Sequence, residues 1–228
     1  FCLSRGLGDV YKRQILRNIE GENSISVKLT SIGLDIDKEL AYNYIKELVK
    51  VSNFIEIDME SSKYTQITID FYKTLKTEFP NKKIAIAIQS YLKRSLNDVI
   101  ELLKYNPIIR LVKGAYKEPK EIAYEKKVDV DKNYIEILKL LLEKSNYTLI
   151  ATHDEKIINF VRKMNISKDK FEFQMLYGIK FDLLLKLKSE GYRTAIYLPY
   201  GTYWYPYFMR RLAERPANVV FLIKNIFS

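Results

Sequence analysis

Residues 54–60 read FIEIDME and residues 24–30 read SISVKLT. In both, side chains alternate with the period of a strand: Ile55 and Ile57 oppose Glu56 and Asp58, while Val27 and Leu29 oppose Ser26 and Lys28. The apolar face suits packing under helices. The other face carries charges that are costly to bury unpaired, so it has to meet partners of its own. Two such strands predict a sheet packed by helices on one side and turned on the other toward a shared polar axis.

Five further segments have the same character: IAIAIQ (84–89), IIRLVKG (108–114), TLIATHD (148–154), FEFQML (171–176) and TAIYLP (194–199). Between them lie helical spacings, such as Leu40, Tyr44 and Leu48, or Ile67, Phe71 and Leu75 running to a stop at Pro80. Strand starts recur every ~23 to 40 residues, the size of a βα unit with its crossover helix. The longest gap holds a charged segment, Tyr116 to Val130, expected as an extended loop or irregular helix ahead of a helix bearing Ile135, Leu138 and Leu142. An open doubly wound sheet and a closed barrel both accept this order. Polar residues at nearly every strand end, namely Lys28, Asp58, Gln89, Arg110, Thr152, Gln174 and Tyr197, favour the barrel, which gathers those ends at one mouth. The expected fold class is therefore α/β, a (β/α)8 TIM-like barrel.

The chain has 228 residues, 47% of them hydrophobic, enough for one domain with a sizeable core. No apolar run approaches the roughly 20 residues of a membrane span. Residues 1–14, FCLSRGLGDVYKRQ, lack either period and resemble a translated sequencing-adapter peptide; they are expected to be a non-native leader, with 15–228 forming the domain. Setting them aside lowers the formal charge from +10 to +8 and removes Cys2, the one cysteine, which fits a reducing compartment. The remaining cations alternate with Glu and Asp on helices. That pattern describes a solvated surface and argues against nucleic acid, while leaving room for attraction to an anionic membrane surface.

Each candidate site residue carries a bland reading beside a chemical one. Lys28 suits an anion contact, a Schiff-base amine or a snorkelling surface lysine. Asp58 suits an inward carboxylate among cations or a partner that orients an arginine. Arg110, between Ile109 and Leu111, requires a carboxylate, phosphate or electron-rich ring nearby, and a structural pair with Asp58 would satisfy it equally. The glycine in Lys113, Gly114, Ala115 permits close approach of backbone to a ligand. His153 is the one histidine, and no second His or Cys completes a zinc site, so no metal is expected. Near the C-terminus, a helix from Tyr203 to Glu214 would put Tyr207, Arg210, Arg211 and Glu214 on one face, where paired arginines beside aromatics suit a small carboxylate.

Taken in order, SVKLTSIG, EIDME, RLVKGAY, ATHD, FEFQMLYG and the Tyr, Arg, Arg, Glu helix resemble the proline dehydrogenase family over about Ser24 to Asn225. The resemblance implies a distorted barrel with its last helix over the mouth, and flavin-dependent oxidation of L-proline to Δ1-pyrroline-5-carboxylate, with electrons passed to a quinone. It implies that Lys28, Arg210 and Arg211 hold the substrate carboxylate and that Leu176, Tyr197 and Tyr207 pack around the ring. It assigns Met59, Gln89, Arg110, Val112, Lys113, Gly114, Ala115, Thr152, His153 and Glu214 to FAD, and Asp58, Arg110 and Tyr197 to the catalytic set. The expected location is cytoplasmic or peripheral at the inner face of the cytoplasmic membrane. Relatives carry a first strand ahead of the Lys-bearing one, so this chain is expected to lack that βα unit. Two other readings compete: a class I aldolase-like lyase using Lys28 or Lys113, and an inactive truncated fragment.

Overall fold

The computed structural model describes residues 24–198. Seven strands, β1 (Ser24–Val27), β2 (Phe54–Ile57), β3 (Lys83–Gln89), β4 (Ile108–Val112), β5 (Tyr147–Ala151), β6 (Phe171–Leu176) and β7 (Arg193–Tyr197), form one parallel sheet in chain order. Six helices connect them: α1 (Lys38–Val51), α2 (Ser62–Glu78), α3 (Ser95–Leu102), α4 (Lys127–Lys144), α5 (Glu155–Arg162) and α6 (Phe181–Ser189). All seven anticipated strands are present. Several end two or three residues sooner than their alternation suggested, so Lys28, Asp58 and Thr152 stand just beyond the strands, in the connections.

The sheet is curled. Gln174 on β6 donates from Nε2 to Glu56 on β2, and the Tyr197 hydroxyl on β7 donates to Asp58, just past β2. In a flat sheet those strands would stand about 19 and 24 Å apart. Hydrogen-bonded side chains across such an interval require the concave arc of a barrel. Among the described residues β1 and β7 are the ends of that arc.

Helices cover the convex side. Ile84, Ile86 and Ile88 of β3, Ile109 and Leu111 of β4, and Phe171, Phe173 and Met175 of β6 are buried there in one core with the helix faces. On α1 the buried stripe is Ala41, Ile45, Leu48 and Val49; the expected Leu40 and Tyr44 are only half-buried at its margin. α2 stops at Glu78, with Phe79 as its cap, because the residue before Pro80 cannot stay helical. α4 begins at Lys127, inside the segment expected to be irregular. Its first turn is held by Lys127 pairing with Asp131 four residues on.

The concave side is unusual for a barrel, where layers of Val, Ile and Leu are the norm. Here it carries Ser24, Ser26, Glu56, Ala85, Ala87, Arg110, Glu172 and Gln174, with the alanines leaving volume for the charged groups. No helix among the described residues is long and apolar enough to cross a membrane.

Candidate active site

The deepest charges sit where β1, β2, β4 and β7 approach the carboxyl end of the barrel. Arg110, 4% exposed, pairs with Asp58 and, at 3.0 Å, with Glu56, and donates to the Ser26 hydroxyl at 3.1 Å. Asp58 also accepts from Ser26 Oγ at 2.7 Å, from the Tyr197 hydroxyl at 3.0 Å and from Lys28 Nζ. The Tyr197 ring lies with its centroid 5.4 Å from the Arg110 guanidinium carbon, within cation–π range. Two cations and two carboxylates make a neutral set, which is what allows four charges to occupy one barrel interior.

Below it the polar chain continues. Glu56 accepts from Ser24 Oγ at 2.7 Å and from Gln174 Nε2, which also donates to Glu172 at 3.0 Å. Burial raises the Glu172 carboxyl above the usual range, against the lowering pull of the Gln174 hydrogen bond. Glu56 was missing from the sequence-derived site. It shares its strand face with Asp58, so parity alone could have included it.

A second strip runs along the ends of β3, β4 and β5. Gln89, buried, donates from Nε2 to the Glu60 carbonyl at 2.8 Å, and Met59 is buried next to Asp58. Val112 stands in register with Gln89. From there Lys113, Gly114 and Ala115 rise from half-buried to exposed as the chain leaves the sheet. This loop is stitched to the β3–α3 turn by Tyr91 N–H donating to Lys113 O at 2.9 Å and Tyr124 N–H donating to Tyr91 O at 2.8 Å. Farther on, Glu118 accepts from the Ser62 N–H and hydroxyl, at 2.7 and 2.6 Å, at the start of α2. Gly114 has φ +109°, and a Cβ added there would sit 2.1 Å from the ring of Tyr91.

Lys113 is gripped by Asp131 of α4 and, at 2.6 Å, by Asp154, which also meets Lys127 at 3.2 Å. Asp154 caps α5 by accepting from Lys156 N–H. Burial works to raise the Asp154 carboxyl, but hydrogen bonds from Lys113, Lys127 and the Lys156 backbone outweigh it and hold it well below the usual carboxylate range. A carboxyl depressed in the fold adds stability above its unfolded value of about 4, and that stability is lost as pH falls through the folded value. Asp154→Asn should therefore lower unfolding stability by about 1–3 kcal/mol near neutrality, with the gap to the parent closing as pH drops from 5 toward 2. Denaturant titrations across that range check it; a gap that stays constant would exclude the pairing as its source.

Thr152 and His153 complete the strip. Thr152 Oγ1 accepts from Asp154 N–H at 3.1 Å, and His153 Nε2 accepts from Leu176 N–H at 3.0 Å. Leu176 closes β6 opposite Tyr197 on β7. Lys28 and Lys113, the amines a Schiff-base lyase would use, are each paired with carboxylates, whereas such lysines are activated by apolar burial or a neighbouring cation. No group of His, Cys, Asp and Glu suited to a metal ion occurs among the described residues. Tyr207, Arg210, Arg211 and Glu214 lie outside the described residues.

The proline dehydrogenase family model matches residues 9–224. Proline dehydrogenase 2 of Bacillus subtilis is 43% identical over 215 residues, which cover 91% of this chain and 70% of the relative. The proline dehydrogenase of Deinococcus radiodurans is 43% identical over 213 residues, covering 89% and 69%. Among solved structures, a bifunctional proline utilization A protein superposes with a TM-score of 0.84 at 22% identity, covering 94% of this chain and 26% of its own. Proline utilization A from Bdellovibrio bacteriovorus, inactivated by N-propargylglycine, superposes with a TM-score of 0.75 at 26% identity, covering 92% and 27%. With a family match across most of its length and relatives at this identity, the chain belongs to the proline dehydrogenase family, oxidoreductases of proline catabolism built on a TIM-type barrel.

Proposed function

We propose that the chain oxidises L-proline to Δ1-pyrroline-5-carboxylate with FAD as its cofactor and a quinone as the onward acceptor. The observation that carries the reading is the neutral cluster of Lys28, Asp58, Arg110 and Glu56, closed by Tyr197, beside a strip of donors at the ends of β3 to β5.

The donor set fits a flavin dinucleotide. Gln89, Arg110, Lys113 and His153 offer amide, guanidinium, ammonium and imidazole groups, and the backbone from Val112 to Ala115 emerges beside them. Bound FAD would supply the two-electron chemistry, as the acceptor of a hydride from C5 of the substrate. The protein's part is placement and charge. Lys28 keeps its side chain 37% exposed while its partner Asp58 is 8% exposed, so the ammonium remains within reach of a substrate carboxylate at the mouth. Tyr197 gives its hydroxyl proton to Asp58, so toward a substrate its oxygen acts as an acceptor, suited to the ring amine. By the resemblance, Arg210 and Arg211, which lie outside the described residues together with Tyr207 and Glu214, would take the substrate carboxylate, Tyr207 and Leu176 the ring, and Glu214 the cofactor. A quinone acceptor would put electron exit at a membrane surface, where the net charge of +8 that remains once residues 1–14 are set aside favours anionic lipid on the cytoplasmic side.

The test is direct. The purified chain should carry a flavin whose released form has the mass of FAD, and anaerobic proline should bleach its absorbance near 450 nm with pyrroline-5-carboxylate as product. A bound flavin that proline does not reduce, or release of FMN, would overturn the reading.

A further inference from the structure

The β5–β6 ladder ends with Ala151 opposite Gln174, yet β6 continues for two residues, to Leu176. Tyr177 N–H donates to Tyr197 O on the β7 side, at 3.0 Å. Alternation along a strand therefore turns the Leu176 N–H to the β5 side, where the ladder offers it no carbonyl. His153 Nε2 fills that place at 3.0 Å. The turn that carries His153 is itself fixed: Thr152 Oγ1 accepts from Asp154 N–H, and Asp154 is anchored on Lys113, Lys127 and the first turn of α5.

An imidazole nitrogen that accepts from an N–H is unprotonated, so the neutral ring carries its proton on Nδ1. A side chain thus supplies the last rung under Leu176. On the proposed reading, in which Leu176 packs against that ring, we infer that His153 is the positioning residue for Leu176 and, through it, a determinant of how tightly a five-membered ring carboxylate is held. The role is separate from any contact His153 makes with the flavin, because it runs through the backbone of β6.

His153→Gln keeps an acceptor oxygen near the place of Nε2, whereas His153→Phe keeps a planar ring and loses the acceptor. In the full chain with its cofactor bound, His153→Phe should raise the proline KM about tenfold and change kcat less. It should weaken competition by cyclopentanecarboxylate while leaving competition by acetate as it is, and His153→Gln should recover most of the loss. Amide hydrogen exchange at Leu176 is the readout that needs no turnover: faster in His153→Phe, near parental in His153→Gln. Unchanged exchange at Leu176, or equal weakening of both carboxylates, would overturn the inference. A parent chain that protects the Leu176 amide but does not oxidise proline would instead overturn the proposed function and leave the rung in place.

Discussion

Arg110→Met should cost the fold about 3–5 kcal/mol, because it leaves Glu56 without its cation and Asp58 with only one, inside a barrel that gives them little water. The cost comes from the carboxylates left behind more than from the arginine removed. Neutralising the more isolated of them, in Arg110→Met with Glu56→Gln, should therefore return about half of it, even though the second substitution also removes a native group. Asp58 needs less help, since Ser26, Lys28 and Tyr197 remain on it. Urea midpoints of the parent, both single variants and the double variant give the coupling energy. A single Arg110→Met variant within about 1 kcal/mol of the parent would mean that the cluster is solvated and the barrel interior open.

Gly114→Ala should cost about 2–4 kcal/mol and strip the chain of flavin. Its φ of +109° is a region that residues with a Cβ avoid, at a cost of about 1–3 kcal/mol. The new methyl would also lie 2.1 Å from Cδ1 of Tyr91, a residue only 8% exposed whose backbone is hydrogen-bonded to Lys113 and Tyr124. The two terms separate cleanly. Adding Tyr91→Ala removes the collision but not the backbone strain, so the double variant should be less destabilised than the sum of the singles. Strict additivity would show that the ring gives way freely. Flavin content, read from the ratio of absorbance near 450 nm to that at 280 nm, should follow the backbone of the loop, falling in Gly114→Ala and recovering in part in the double variant.

Much of this architecture was legible because the signals are local. Parallel strands under helices produce short apolar runs, and all seven were found that way. Their ends were not, because Lys28 and Asp58 continue the alternation after the ladder has stopped. The buried stripe of α1 was legible only in part: Leu48 lies in it and Leu40 and Tyr44 at its margin, while Ala41 is a small residue whose burial shows only once the helix has a neighbour. The convergence of Lys28, Asp58, Arg110 and Tyr197 followed from strand-face parity and a barrel's shared mouth. The grip of Asp131 and Asp154 on Lys113 did not, since it depends on the path of a loop between residues 18 and 41 positions apart. Nor did the rung from His153 to Leu176, because a side chain that stands in for a strand leaves no periodic trace.

The strand order has a consequence in time. Each strand pairs with the next one made, so the sheet can grow rung by rung as the chain emerges, with every ladder closing over the span of one βα unit. The contacts that bend it into an arc are of another kind: Gln174 to Glu56 spans 118 residues and Tyr197 to Asp58 spans 139. Contacts across such loops carry the greatest closure entropy and come late. Until they form, Arg110, Glu56 and Asp58 line an open trough in contact with water, and their charges are solvated rather than trapped. The groups most expensive to bury are thus dehydrated only when every partner is already within reach, which makes the chemical end of the barrel the last region to assemble and the first from which an opening fluctuation would begin.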